Sequence, residues 1–195
     1  YLADCFGLRL LNRRGCFPQF DKFIEQTKDV WTHLVDIRKS FEPRAEELAK
    51  KYALAPYTMF IGSGALWGET ILFSMCILEE MQWKRTRYIT SADFFHGTLE
   101  LVEPGVPVFL FMGEDENRKL DERVRAFLNR GVTGDTDVNV IDTAEFAIPG
   151  LDDEFRVIVS PWILTVLVTD RLARYYETVT KHNLKYRRYY HQFDY

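Results

Sequence analysis

The stretch 58–98 constrains the fold of this chain more than any other part of the sequence. Its apolar run 59–61 is short enough for a buried strand, and the tripeptide GSG follows at once at 62–64. An apolar segment with helical spacing then begins near Leu66. A strand, a glycine turn and a helix N-terminus in this order direct backbone N–H groups and the positive end of a helix dipole towards a bound anion.

The same stretch contains an acid pair and a histidine that are candidates for proton transfer. Glu79 and Glu80 close the predicted helix, and His96 follows the next strand candidate. We therefore expect Glu80 and His96 on consecutive loops at one edge of a sheet. A carboxylate at a helix C-terminus meets the negative end of the dipole, which suits a general base. Imidazole changes charge near neutral pH. The alternatives are a solvated helix end for the acids and a structural role for His96.

The glycine turn by itself predicts little chemistry. It lacks both a third glycine in the right place and a GKS/T sequence, which argues against dinucleotide and nucleotide binding. A sugar hydroxyl or phosphate at Ser63 and Gly64 stays open beside the alternative of a tight strand-to-helix turn. No partner for a catalytic triad can be placed near Ser63. With no second His or Cys near His96, a metal site is not expected.

Strand and helix patterns alternate from residue 57 onwards. The strand candidates are 57–61, 87–90, 106–112 and 138–141, and the helix candidates are 66–82, 116–129 and 153–180. The third strand is apolar at successive positions, as a strand covered on both faces requires. The sequence thus predicts an α/β fold, a three-layer α/β/α sandwich with a mostly parallel, doubly wound sheet.

The flanking segments predict helices and a packed tail. An apolar stripe of period 3.6 begins after Pro18, ends at 41–43 and is followed by a second helix at 44–52. Pro161 predicts a kink or a late start in the last helix. The expected boundaries are linker helices at 18–56, the α/β module at 57–182 and an aromatic, basic tail at 183–195 near the site.

The composition is that of a folded protein, with 195 residues of which 47% are hydrophobic. The net charge of −4 argues against non-specific nucleic-acid binding. No run reaches the ~18 apolar residues of a membrane span. The chain has three cysteines, Cys5, Cys16 and Cys76, an odd number without a CxxC motif. This pattern predicts a reduced cytoplasmic protein without structural zinc.

Four segments together resemble one family. FIGSGALWGET, CILEEMQW, FFHG and the ending RRYYHQFDY are similar to the Amadori-product deglycases of the sugar isomerase (SIS) family, over essentially the whole chain. The HG dipeptide sixteen residues after Glu80 also resembles the isomerase domain of glucosamine-6-phosphate synthase. One departure is that His96-Gly97 is followed by Thr98, where isomerase relatives often have proline.

The resemblance implies a function and roles for particular residues. The implied substrate is a 6-phosphorylated fructose that carries an amino acid, with aspartate as the nearest match. His96 would open the sugar ring, and Glu80 would move a proton between C1 and C2 through an enolamine. Arg187 and Arg188 would bind the acidic group. The resemblance implies no metal or cofactor, and a homodimer whose site takes Glu80 and His96 from different subunits.

The resemblance also leaves alternatives open. Such enzymes carry two SIS modules, so 1–17 would be the trailing end of a first module and the chain by itself could be inactive. An aldose–ketose isomerase would use the same residue pair, as would an aminotransferring synthase, although no glutaminase module is visible. A sugar-phosphate sensor is a non-catalytic alternative, and it would show ligand binding without turnover.

Overall fold

The structure is a computed structural model that describes residues 1–130 and 136–194. Its centre is a parallel sheet in which the strands lie in the order β2-β1-β3-β4. The strands are β1 (Tyr57–Gly62), β2 (Arg85–Ile89), β3 (Val108–Met112) and β4 (Val138–Asp142). The α-helices are α1 (Leu2–Arg13), α2 (Phe20–Thr27), α3 (Val30–Tyr52), α4 (Trp67–Ile71), α5 (Ser91–Phe94), α6 (Arg118–Leu128), α7 (Asp153–Leu164) and α8 (Ala173–Thr180). A π-helical segment, Leu72–Met81, continues α4, and a second, Thr165–Leu172, joins α7 to α8.

Alternation along the buried strands divides the core into two layers. Phe60 and Phe109 point to one face, where their rings stack with centroids 5.2 Å apart among residues of α3, α7 and α8. Met59, Ile61 and Leu110 point to the other face and pack with α5 and α6. All of β3 is buried, as expected for a parallel strand between two helical layers. The predicted three-layer α/β/α fold is confirmed.

The helix break predicted at 41–43 is wrong. In the structure the helix is instead interrupted at 28–29, between α2 and α3, and α3 then continues through Pro43. Pro43 is exposed, while Phe41 and Ala45 on either side are buried against the rest of the core. A proline inside a helix costs roughly 3 kcal/mol, but apolar burial contributes roughly 25 cal/mol per Å² along the whole buried face. Packing of that face therefore outweighs the local signal.

Pro43→Ala is expected to stabilise the protein. Alanine restores the N–H that proline lacks and lets α3 close its hydrogen bond to the carbonyl of Lys39. Proline also restricts the unfolded chain, which offsets part of this gain, so we expect about 1–2 kcal/mol in the free energy of unfolding. Chemical denaturation measures the change. A lower stability in the variant would show that α3 needs the distortion that Pro43 introduces.

Pro161 lies inside α7, which starts at Asp153 without the late start that the sequence allowed. The irregularity appears as the wider π-helical turns that begin at Thr165. Proline leaves the carbonyl of Val157 without its helical N–H partner, and Ser160 Oγ donates to that carbonyl at 3.3 Å. Thr165 Oγ1 donates to the carbonyl of Pro161 at 2.8 Å.

The segments before β1 pack unevenly. Helices α2 and α3 contribute Phe23, Leu34 and other side chains to the larger core cluster, so they form part of one helical layer. Helix α1 has no buried residue and leaves Leu2 and Phe6 exposed. The domain boundaries 1–17, 18–56, 57–182 and 183–195 stay predictions, and Tyr195 lies outside the described residues.

Candidate active site

Glu79 and Glu80 lie at the amino edge of the sheet, beside the start of β2. The helix after β1 begins at the carboxyl edge and must run back, because a crossover returns the chain to the start of the next parallel strand. Thr86 Oγ1, in β2, donates to Glu79 Oε1 at 2.5 Å. His96 comes after the carboxyl end of β2, where it is exposed. The expectation that Glu80 and His96 occupy consecutive loops at one edge is therefore wrong.

A cavity of about 710 Å³ opens beside Glu80. The residues after α8 fold back to form its second wall. The lining consists of Glu79, Glu80, Trp83, Arg85, Arg187, Arg188, Tyr189 and Tyr190. The structure thus brings together Glu80, Arg187 and Arg188 of the predicted site residues, and it places Ser63, Gly64 and His96 outside this lining.

Arg187 forms an ion pair with Glu80. Its Nε lies 2.8 Å from Glu80 Oε1, with the two side chains 19% and 39% exposed respectively. Arg187 Nη1 also donates to the carbonyl oxygens of Leu184 and Tyr186, at 2.9 and 2.8 Å. The guanidinium is thereby held by its own tail beside the Glu80 carboxylate. The solvent exposure of Glu80 leaves the carboxylate accessible from the cavity.

A polar network anchors the tail to the end of the π-helical segment. The buried Gln82 donates from Nε2 to the carbonyl of His182 at 2.5 Å, and its Oε1 accepts from Thr180 Oγ1 at 2.7 Å. The backbone N–H of Leu184 donates to Glu177 Oε1 at 2.9 Å. Sequence reasoning did not single out Gln82, although a glutamine directly after an apolar helical segment is a polar group that burial would force to find partners.

The glycine turn at the opposite edge is closed by the chain's own side chains. Ser63 is buried, and its Oγ accepts from the backbone N–H of Ser91 at 2.7 Å. The backbone N–H of Ala65 donates to Asp115 Oδ2 at 2.5 Å. Gly64 has φ +55°, and a Cβ there would lie 2.0 Å from the same oxygen. The position where a bound anion was expected is therefore occupied by Asp115.

Two ion pairs also lie at that carboxyl edge. Arg118 makes a bidentate contact with Asp142 at 2.9 and 2.6 Å. Arg156 does the same with Glu114 at 2.8 and 2.6 Å, and both side chains are largely buried. Open parallel sheets commonly bind ligands at this edge. Here the two arginines are paired with carboxylates, and the cavity of about 620 Å³ at this edge is lined by several acidic side chains, which would repel a phosphate. The cavity beside Glu80, which is lined by three arginines, is therefore the better candidate.

Asp121 is a buried carboxylate at the same edge. It accepts from Ser91 Oγ at 2.5 Å and from the backbone N–H of Gly113 at 3.4 Å. Burial raises the pKa of Asp121 to about 6, although the hydrogen bond from Ser91 acts in the opposite direction. The folded protein therefore binds a proton at Asp121 more readily than the unfolded chain does.

This raised pKa predicts a pH-dependent stability. The contribution of Asp121 is fully present below the ordinary pKa of an aspartate and is lost as the pH rises through about 6. We expect a loss on the order of 1–2 kcal/mol, since one pKa unit is worth about 1.4 kcal/mol and partial solvation reduces the effect. Denaturation between pH 4.5 and 7.5 measures it, and Asp121→Asn should show a flatter pH profile. Parallel profiles for the two proteins would contradict the assignment.

The described residues include no group of three or more His, Cys, Asp and Glu side chains that could hold a metal ion. Cys5, Cys16 and Cys76 are free thiols. None of the helices in the described ranges is long and apolar enough to cross a membrane.

Comparison with known proteins gives two concordant results. The chain is 29% identical to a fructosamine deglycase of Bacillus subtilis over 94% of its own length and 54% of the relative. It is 30% identical to a fructoselysine 6-phosphate deglycase of Escherichia coli K12 over 97% of its own length and 54% of the relative. The resemblance to the Amadori-product deglycases is confirmed. The chain spans about half the length of these curated relatives.

Solved structures agree with the sequence relatives. A protein from Salmonella typhimurium LT2 described as a phosphosugar isomerase superposes with a TM-score of 0.87, at 26% identity, over 96% of this chain and 57% of that one. The fold is therefore the sugar isomerase fold. No protein-family model matches the sequence.

Proposed function

We propose that the protein carrying this chain is a deglycase of 6-phosphofructose–amino acid conjugates, with Glu80 as the base that moves the proton. The observation that carries the proposal is the pairing of Glu80 with Arg187 in a cavity whose lining includes two further arginines. Similarity to deglycases supports the reaction class.

The proposed reaction begins with the open-chain ketosamine. Glu80 removes a proton from C1, and the electrons of that bond move towards C2, whose carbonyl oxygen gains a proton to give an enolamine. Return of the proton to C2, with loss of the proton on the nitrogen, yields an imine between C1 and the amino acid nitrogen. Water adds to the imine and releases glucose 6-phosphate and the free amino acid. A positioned base of this kind contributes roughly 10²–10⁴-fold in rate. No step of the reaction changes the overall oxidation state, so no oxidant is needed.

His96 is proposed to open the sugar ring by moving a proton at the ring oxygen. Its side chain is exposed and outside the cavity that contains Glu80. An exposed imidazole of this kind is available to the site of a second copy. We therefore propose a homodimer in which Glu80 of one subunit and His96 of the other act on one substrate.

Aspartate is proposed as the amino acid of the conjugate. Arg187 pairs with Glu80, whereas Arg85 and Arg188 have no carboxylate ion pair in the part of the chain that the structure describes. Guanidinium groups bind carboxylates with two parallel hydrogen bonds. A lysine conjugate would add a cation to a lining that already holds three arginines and two glutamates. We also propose a cytoplasmic location for the protein, in keeping with its three free cysteines.

The test is the release of glucose 6-phosphate from 6-phosphofructose-aspartate by the protein that carries this chain. The lysine conjugate and fructose 6-phosphate serve as comparison substrates in the same assay. Faster release from the aspartate conjugate supports the deglycase reaction and the aspartate specificity, and faster release from the lysine conjugate would overturn that specificity. Interconversion of fructose 6-phosphate and glucose 6-phosphate would favour the alternative of an aldose–ketose isomerase. Binding of the conjugates without release of product would favour a sugar-phosphate-binding module.

A further inference from the structure

Trp83 has a backbone conformation that is unusual for its size. It follows the π-helical segment that carries Glu80 and has φ +53°. Its N–H donates to the carbonyl of Glu79 at 3.1 Å, and the N–H of Lys84 donates to Leu78 at 2.8 Å. A left-handed residue that ends a helix in this way is most often glycine, because a bulky side chain is strained there.

Burial does not account for a tryptophan at this position. The residue is 40% exposed, so much of its apolar surface remains in contact with water. A strained residue persists only where the surroundings hold it, and such residues cluster at functional sites. The contacts of the indole therefore indicate what it does.

The indole contacts the tail on the cavity side. The guanidinium carbon of Arg188 lies 4.3 Å from the ring centroid. The ring of His182 packs edge-on against the indole, with centroids 4.3 Å apart, and Tyr186 packs on His182 at 5.3 Å. Trp83, Arg188 and Glu80 all line the same cavity.

We propose that Trp83 is a positioning residue that holds the Arg188 guanidinium in the cavity for an anionic group of the ligand. Stacking occupies the face of a guanidinium and leaves the N–H donors along its edge free for a carboxylate or phosphate. Because the left-handed turn at Trp83 also caps the helix end that bears Glu80, the arginine and the proposed base are held by one structural element. The inference rests on the proposed function for the identity of the ligand, a conjugate whose amino acid is acidic.

The test compares variants of the protein that carries this chain. Trp83→Gly relieves the backbone strain but removes the platform, and Trp83→Tyr keeps an aromatic face. Lys181→Gly is the matched control, because Lys181 also has a left-handed backbone, with φ +57°, and lies outside the cavity lining. We measure KM and kcat for 6-phosphofructose-aspartate, and the affinity for free aspartate by calorimetry.

We expect Trp83→Gly to raise KM and weaken aspartate binding roughly tenfold, with kcat changed far less. Trp83→Tyr should restore most of the affinity, and Lys181→Gly should leave it unchanged. Trp83→Gly should add little to the effect of Arg188→Ala, since both remove the same contact. A merely structural role for the indole would lower the melting temperature without this pattern in KM.

The outcomes separate this inference from the proposed function. Normal KM and normal aspartate affinity in Trp83→Gly would overturn the positioning role and leave the deglycase assignment intact. Aspartate binding that depends on Trp83 and Arg188, in a protein that releases no glucose 6-phosphate, would support the positioning role and overturn the deglycase assignment. Absence of both binding and turnover in the wild type would overturn both.

Discussion

Replacing Glu80 with glutamine is expected to lower the release of glucose 6-phosphate by roughly 10²–10⁴-fold. Glutamine keeps the shape of the side chain and places an amide oxygen beside Arg187, but it cannot take a proton from C1. The Glu80 side chain is 39% exposed, and an ion pair at such a site contributes only about 0–1 kcal/mol to stability. The melting temperature should therefore change little, so the loss of turnover reports on chemistry and not on folding.

Glu79→Gln is the matched control for this experiment. Glu79 is the neighbouring carboxylate in the same lining, but it accepts a hydrogen bond from Thr86 and makes no ion pair with Arg187. We expect this variant to keep most of the turnover. If Glu79→Gln loses activity and Glu80→Gln retains it, the base is Glu79. If a folded Glu80→Gln and a folded Glu79→Gln are both fully active, the proposed proton transfer is wrong.

The sheet and its covering helices could be predicted because each signal is local. The apolar strand β3 and the helical period of residues 66–82 need no knowledge of distant residues, and the structure has both within a few positions of the expected bounds. Pro43 shows the limit of local signals. A proline usually ends a helix, yet α3 continues through it because the side chains on either side are buried by elements far along the chain.

The site was harder to predict because its contacts join distant parts of the chain. Glu80 pairs with Arg187, and Ala65 binds Asp115, and neither pairing leaves a trace in the periodicity of the sequence. The prediction that Glu80 and His96 lie at the same edge of the sheet is wrong for a different reason, because it conflicts with the topology that the sequence itself predicts. If strands 57–61 and 87–90 are parallel, the helix between them must end at the amino edge of the sheet. The topology was available from the sequence, and it places the acid away from the glycine turn.

The second large effect is expected from His96. His96→Asn should lower turnover by roughly 10²–10⁴-fold, as expected for loss of a positioned acid or base. The imidazole is exposed, and its residue makes a backbone hydrogen bond from the N–H to Asp93 that the substitution retains, at 2.9 Å. The fold should therefore be unaffected, and circular dichroism with thermal melting provides the check.

The pairing of inactive variants then tests whether the site is shared between subunits. In a dimer of one Glu80→Gln subunit and one His96→Asn subunit, a shared arrangement leaves one site with both native residues and one site with neither. Random exchange of equal amounts should restore about a quarter of the wild-type turnover, since half of the dimers are mixed and each has one intact site of two. If Glu80 and His96 act within one subunit, every site in the mixture lacks one residue and no turnover returns. The same mixture therefore distinguishes the two arrangements, and a return of turnover would show that the acid and the imidazole, which one chain holds apart, meet in a dimer.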